Sequence, residues 1–235
     1  MKISIENCIG CWSCIPYCPV GAIKKRDRKG FIDQDECVEC GVCLKSGVCR
    51  SDALFLPELH WPRTLRYQFS DPLGIHPGTK TGGRGTDEMK TNDTSARFKL
   101  GEVGFGIEMG RPGVSTSFRD VEKISMAISN LVEFEPMNPV SLLMDTNTGK
   151  LRDVRVKEER VLSAIIECKT DEDKAVDVLR VLQNVAEEID TVFSLSVISK
   201  CKNNTIPIIP ILEHAGFKPR LNGKTNMGLG RPLIQ

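Results

Sequence analysis

Eight of the ten cysteines of this chain lie among its first 49 residues, in two dense runs. The first run, CIGCWSCIPYCP, begins at Cys8, and the second, CVECGVCLKSGVC, begins at Cys37. Thiolates serve as nucleophiles, as metal ligands or as disulfide partners. In a reducing compartment, cysteines this dense favour metal binding or catalysis over disulfides.

The two runs form an internal repeat. Its flanks recur as well, since ISIENC precedes the first run and FIDQDEC precedes the second. Three thiolates two residues apart can surround one face of a cubane metal–sulfur cluster, while a fourth points away from it. Each run adds such a fourth cysteine, Cys18 or Cys49. The positions that recur 29 residues apart are Cys8, Cys11 and Cys14, matched by Cys37, Cys40 and Cys43.

The first run, C-x2-C-x2-C-x3-C-P, resembles that of the bacterial-type ferredoxins with two [4Fe-4S] clusters. The resemblance covers residues 1 to about 56. It implies two [4Fe-4S] clusters as cofactors, with the fourth cysteine of each run serving the other cluster. The implied ligands are Cys8, Cys11, Cys14 and Cys49 for cluster I, and Cys37, Cys40, Cys43 and Cys18 for cluster II.

Two zinc sites of four cysteines each would use the same thiolates, but zinc motifs usually pair their ligands two and two. The second run departs from the ferredoxin pattern, because five residues, LKSGV, precede Cys49 and Arg50 replaces the usual proline. We expect the two extra residues to bulge around Gly47, since glycine tolerates the φ values of such a loop. Arg50 either raises the potential of cluster I or points to water.

The bulk composition is that of an ordinary soluble protein. The 235 residues include 27% charged and 40% hydrophobic side chains, with a formal net charge of +1. This balance gives no case for nucleic acid as a partner. No apolar run approaches the roughly 20 residues of a membrane span. The start, MKISIENC, lacks the apolar core of a signal peptide, so we expect a cytoplasmic protein.

Residues 57–97 are rich in glycine, proline, threonine and charged residues, and they predict a long ordered linker that lies on both domains or on a partner chain. Its glycine-rich part could hold a phosphate or a carboxylate, although it matches no known fingerprint. An ordered surface loop without a ligand is the alternative. The candidate binding residues there are Arg84, Lys90, Asn92 and Arg97.

Residues 98–201 predict a β-α-β-β-α-β domain, the ferredoxin-like antiparallel α/β sandwich, so the whole chain is expected to be α+β. That sandwich is unrelated to iron–sulfur modules and hosts many functions. Cys168 and Cys201 are expected to be structural thiols, and residues 202–235 form a basic tail. The predicted strands are 102–110, 139–145, 161–169 and 191–200, and the predicted helices are 117–131 and 171–190, with Thr170 as the cap of the second.

Electron transfer is the favoured function. With all eight thiolates occupied, ligand count leaves no iron open to a substrate, and no catalytic constellation is evident elsewhere in the chain. The chain would be a ferredoxin-type subunit or a dedicated carrier of an anaerobic oxidoreductase, with a second domain that recognises its partner. The predicted partner is a redox protein or a larger complex, and self-association stays open. A sensor with an ACT-like ligand-binding domain, or an enzyme that holds its substrate in the glycine-rich loop, are the alternatives.

Overall fold

The computed structural model describes residues 1–78, 80, 82, 97–110 and 114–220. Three of the four candidate residues of the linker, Arg84, Lys90 and Asn92, lie outside this part of the chain, as do residues 221–235 of the predicted tail. In the part that is described, no helix has the length and apolar character needed to cross a membrane.

The N-terminal module consists of short strands joined by tight turns. β1 pairs with β4 and β2 pairs with β3, each pair antiparallel, so the module contains two small two-stranded sheets. The elements are β1 (Lys2–Ile3), a 3-10 turn (Ile15–Tyr17), β2 (Ile23–Arg26), β3 (Lys29–Ile32), α1 (Val42–Lys45) and β4 (Leu54–Phe55).

The sequence repeat is also a repeat of backbone hydrogen bonds. The amide of Ser4 donates to the carbonyl of Ala53 at 2.7 Å, and the amide of Asp33 donates to the carbonyl of Ala22 at 2.8 Å. Ser4 and Asp33 are equivalent positions of the two copies, and so are the two alanines. Each bond joins one copy to the other, so the two copies pair crosswise around an approximate two-fold axis.

The two copies also share left-handed backbone positions. At each, one copy has glycine and the other a larger residue, although the left-handed region costs an L-residue about 1 kcal/mol or more. Local preference alone therefore does not account for the shared backbone. The pairs are Gly10 and Glu39, Trp12 and Gly41, and Gly21 and Asp52.

A helix, α2 (Thr64–Ser70), lies inside the segment predicted to be a linker. Leu65 and Phe69 are buried and belong to the core of the C-terminal domain. The sequence predicts an ordered linker here, and it gives no indication that this stretch is helical. The helix has only one pair of apolar residues at helical spacing, Leu65 and Phe69, and this is too little to indicate a helix from the sequence.

The C-terminal domain contains a four-stranded antiparallel sheet with the strand order β10-β5-β9-β7. Alternate residues of β5 and β9 face a core that also contains the apolar sides of α3 and α4. The elements are β5 (Glu102–Met109), β6 (Thr116–Ser117), α3 (Phe118–Ile128), β7 (Glu133–Phe134), β8 (Arg160–Val161), β9 (Ala164–Asp171), α4 (Ala175–Ala186), β10 (Phe193–Ser199) and α5 (Ile208–His214).

One predicted strand of this domain is wrong. Residues 139–145 contain a 3-10 turn, Ser141–Leu143, and the strand beside β9 is the earlier and shorter β7. The side-chain oxygen of Asn138 accepts from the amide of Val140 at 2.8 Å and so begins a turn in an apolar segment. Val140 and Met144, four residues apart, are both buried, which is the spacing of a helical turn.

Two further boundaries differ from the prediction. Thr170 does not cap the second helix, because it lies within β9 and α4 begins only after a 3-10 turn at Glu172–Lys174. The segment predicted as a basic tail begins with structure, since α5 contributes Ile208 and Leu212 to the core. Cys168 is buried in that core, as expected of a structural thiol, whereas Cys201 is exposed.

Candidate functional site: two cysteine-lined cavities

The N-terminal module encloses two cavities, and four cysteines line each of them. We refer to them as cavity I and cavity II. Each cavity takes three cysteines from one run and the fourth from the other. The cysteines are Cys8, Cys11, Cys14 and Cys49 in cavity I, and Cys18, Cys37, Cys40 and Cys43 in cavity II.

The crossing cysteines, Cys18 and Cys49, have matching hydrogen bonds. The amide of Ala22 donates to the sulfur of Cys18 at 3.2 Å, and the amide of Ala53 donates to the sulfur of Cys49 at 3.2 Å. In both cases the donor lies four residues after the cysteine. Cys49 therefore occupies the same position as Cys18, although its run is two residues longer.

The two extra residues form a local bulge. α1 begins at Val42, two residues after Cys40, and Gly47 then adopts a left-handed φ of 64°. The hydroxyl of Ser46 donates to the carbonyl of Cys43 at 2.9 Å and closes the turn. The predicted bulge at Gly47 is therefore present, and it leaves Cys49 facing cavity I.

The thiols of Cys43 in cavity II and Cys49 in cavity I differ in acidity. Burial, followed by the neighbouring sulfurs of Cys40 and Cys18, raises the pKa of Cys43 to about 12. The Cys43 thiol therefore keeps its proton at neutral pH. A metal that binds this sulfur must displace that proton. Burial opposes ionisation of Cys49, but the amide of Ala53 and the hydroxyl of Ser51 together lower the pKa of its thiol.

The two cavities also differ in exposure. Cys37, Cys40 and Cys43 are buried, whereas Cys11 is exposed and the other cysteines of cavity I are half-buried. Cavity I therefore lies at the surface of the module. Cavity II is the more buried of the two, although its fourth cysteine, Cys18, is half-buried.

Arg66 of α2 joins the loop of cavity II to the C-terminal domain. Its Nη1 donates to the carbonyl oxygens of Gln34, Asp35 and Cys37 at 3.1, 3.0 and 2.9 Å. Its Nε donates to the carboxylate of Glu159 at 2.5 Å. Since Arg66 is buried, one guanidinium holds cavity II and the second domain in a fixed relation. Sequence reasoning missed this residue, because nothing in the motif distinguishes it from a surface arginine.

The remaining candidates do not form a site. Arg97, the one described member of the predicted binding loop, pairs with Glu135 at 2.6 Å and Glu133 at 3.3 Å. Its guanidinium is therefore engaged within the domain. His60 is exposed and His76 is buried, and the structure does not bring them together.

The donor set of each cavity fits an iron–sulfur cluster. Four cysteine sulfurs surround each cavity, and backbone amides donate to several of them, as is usual around cluster sulfurs. Among the described residues, no three His, Cys, Asp or Glu side chains converge closely enough to hold a single metal ion.

Comparison with known families agrees with this chemistry. Residues 7–53 match the family described as the 4Fe-4S dicluster domain, and the chain belongs to that family through its N-terminal module. This N-terminal module is therefore of the ferredoxin-like, iron–sulfur kind.

Similar proteins match the chain in the region of this module. A 7Fe ferredoxin of Hydrogenibacillus schlegelii is 39% identical over 59 residues, which are 23% of this chain and 73% of the ferredoxin. One component of the ion-translocating oxidoreductase complex of Methanosarcina acetivorans is 41% identical over 50 residues, 21% of this chain and 18% of that component. The pyruvate synthase component PorD of Methanothermobacter marburgensis is 42% identical over 40 residues, 17% of this chain and 46% of PorD.

The chain thus spans about a fifth of the ion-translocating component and less than half of PorD. No solved structure gives a significant match to the chain.

Proposed function

We propose that this chain binds two [4Fe-4S] clusters and carries electrons as a subunit, or as the dedicated carrier, of an oxidoreductase. The observation that supports it best is the pair of cavities, each lined by four cysteines from crossing runs. When bound, each cluster would accept and release one electron. The protein supplies the thiolates, the amide donors to sulfur and the exclusion of water from cavity II.

The proposed ligands are the cysteines that line each cavity. The matching amide bonds to Cys18 and Cys49 support an equal role for these two residues in opposite clusters. The ligands would be Cys8, Cys11, Cys14 and Cys49 for the cluster in cavity I, and Cys18, Cys37, Cys40 and Cys43 for the cluster in cavity II.

The two cavities would have different roles. Cavity I reaches the surface through Cys11 and would exchange electrons with an external protein. Cavity II lies against α2 and would face the second domain, which Arg66 holds in place. The names of two relatives, one from an ion-translocating complex and one from pyruvate synthase, support a place in a larger assembly.

The C-terminal domain would serve recognition of the partner. Its strand order and two core helices support assignment to the ferredoxin-like βαββαβ sandwiches. The proposed division of the chain is 1–56, a connecting segment 57–97, the sandwich 98–201 and the basic segment 202–235.

Reconstitution with iron and sulfide under anaerobic conditions tests the proposal. We expect about eight irons per chain, as two [4Fe-4S] clusters require, and electron paramagnetic resonance signals of two interacting clusters after reduction. In Cys49→Ala, cavity I loses one sulfur, so we expect about half of that iron and the signal of one isolated cluster.

Cys201→Ala is the matched control, because this exposed cysteine lies outside both cavities. Its iron content should equal that of the wild type. A wild-type protein that takes up zinc but no iron would refute the proposal, and so would an unchanged iron content in Cys49→Ala.

A further inference from the structure

The β2–β3 hairpin presents a dense group of positive charges. Residues 24–29, KKRDRK, contain five basic side chains and one acidic one, and we refer to them as the cationic hairpin. Its turn is formed by Asp27 and Arg28, which both have a positive φ, of 46° and 62°. Such two-residue turns match the twist of a hairpin, and this one holds Arg28 at its exposed tip.

The cationic hairpin rests directly on the rim of cavity I. A Cβ atom added to Gly10 would meet the carbonyl oxygen of Arg28 far inside van der Waals contact, so these two backbones touch. The amide of Gly30 donates to the sulfur of Cys8 at 3.4 Å, and Nζ of Lys29 donates to the carbonyl of Cys8 at 2.5 Å. The positive charges therefore lie beside the more exposed of the two cavities.

Most of these charges are not neutralised within the described part of the chain. Lys24 pairs with Asp33 at 2.7 Å. Lys25 lies 4.1 Å above the ring of Trp12, and Arg26 lies 3.5 Å above that of Phe31. Stacking on a ring fixes the position of a cation but leaves its charge in place.

Apolar side chains border the same rim. Ile5 and Ile9 are 70% and 68% exposed, and Trp12 is 37% exposed. Ile9 and Trp12 also line cavity I. An apolar centre that includes an aromatic residue, with charges around it, is the usual anatomy of a protein-binding surface.

We propose that the cationic hairpin and this apolar rim form the docking surface for an acidic redox protein, which exchanges electrons at cavity I. The inference rests on the proposed electron-transfer function and adds the chemistry of the partner. An acidic surface would be steered toward the hairpin by its charge. The rim would then bury Ile5, Ile9 and Trp12 and bring the partner's redox centre close to Cys11.

Binding to flavodoxin, used as a small acidic redox protein, tests this surface. At low ionic strength, we expect the Kd for flavodoxin to be at least about tenfold higher in Lys25→Glu/Arg28→Glu than in the reconstituted wild type. The variant loses both the attraction of the acidic partner over a distance and its charge pairs with the hairpin. The difference should shrink at about 0.5 M salt, where charges are screened within a few ångströms.

Arg180→Glu is the matched control, since it changes an exposed arginine on α4, outside the proposed surface. An unchanged Kd in the double variant, or an equal loss in the control, would overturn the docking surface. A third outcome would also overturn it: the wild type binds phosphatidylglycerol vesicles, and the double variant loses this binding but still binds flavodoxin. The hairpin would then recognise a lipid surface.

Iron content and reduction by dithionite, measured on the same samples, separate the two proposals. Cluster-loaded protein that fails to bind flavodoxin overturns the docking surface alone. Protein that never takes up iron overturns the proposed function.

Discussion

The imidazole of His76 is buried in the segment that follows α2. Its ring meets that of Phe69 edge-on, with 5.4 Å between the centroids. Nδ1 accepts a hydrogen bond from the amide of Gly78 at 3.1 Å, which requires that this nitrogen carries no proton. Burial lowers the pKa of His76, so the folded protein keeps the neutral ring at pH values where the unfolded chain binds a proton.

Stability should therefore decrease as the pH falls. Above the usual histidine pKa of about 6.5, the ring is neutral in both the folded and the unfolded chain, so it does not make stability depend on pH. Below that pH, the unfolded chain binds a proton that the folded chain does not bind. The free energy of unfolding then falls by up to about 1.4 kcal/mol per pH unit. We expect the midpoint of thermal unfolding to fall less between pH 7.5 and 5.5 in His76→Gln than in the wild type.

The exposed His214 provides the control for that experiment. His214→Gln removes an imidazole at the surface of α5, and we expect it to retain the pH dependence of the wild type. Equal pH dependence in the wild type and in His76→Gln would contradict the attribution of the acid sensitivity to His76.

At the scale of elements, the loop of cavity I packs so closely against the β2–β3 hairpin that a side chain at Gly10 should not fit between them. Gly10 and Gly21 both have a left-handed φ, of 71° and 68°, but an added Cβ meets the carbonyl of Arg28 only at Gly10. Alanine costs about 1 kcal/mol or more for its φ at either position. At Gly10 it must also move the hairpin, which adds about 1–3 kcal/mol.

We therefore expect Gly10→Ala to release iron to a chelator several times faster than Gly21→Ala does, when both are followed by the loss of visible absorbance. Gly21→Ala controls for the backbone cost alone. Equal rates of release would show that the hairpin yields freely at this contact.

The elements differ in how far their sequence predicts them. The resemblance of the two cysteine runs to those of the two-cluster ferredoxins predicts both groups of four, including the fourth cysteine that each group takes from the other run. α3 lies close to its predicted limits, since its apolar positions recur at helical spacing and Ser117 caps it, accepting from the amide of Asp120 at 3.2 Å.

Other elements depend on contacts that no local pattern reveals. β7 has only two residues, and it is a strand because β9 lies beside it. α2 is too short to be stable alone, and the burial of Leu65 and Phe69 in a distant core holds it in place. The roles of Arg66 and Glu159, 93 residues apart, likewise exist only in the folded chain.

At the scale of the whole molecule, the two hydrophobic cores are unequal. Among the described residues, the core of the C-terminal domain contains 25 buried side chains, and that of the N-terminal module contains seven, two of which are cysteines. Because this core is so small for a module of about 56 residues, we expect metal bonds to contribute much of its stability.

Removal of iron should therefore unfold the module and spare the domain. After anaerobic chelation, we expect trypsin to cut within the cationic hairpin, while a fragment that contains β5 to α5 survives. Mass spectrometry of the digest gives both results. Cluster-loaded protein should resist the same cuts, and equal resistance before and after chelation would show that the small core suffices.

The crosswise lining of the cavities sets an order of events during synthesis. Cys18 leaves the ribosome well before the three cysteines with which it shares cavity II, and the first three cysteines of cavity I wait for Cys49. Cavity II is complete once Cys43 has emerged, and cavity I only six residues later. A nascent chain thus has no finished site for most of the module's translation, and then acquires both almost at once.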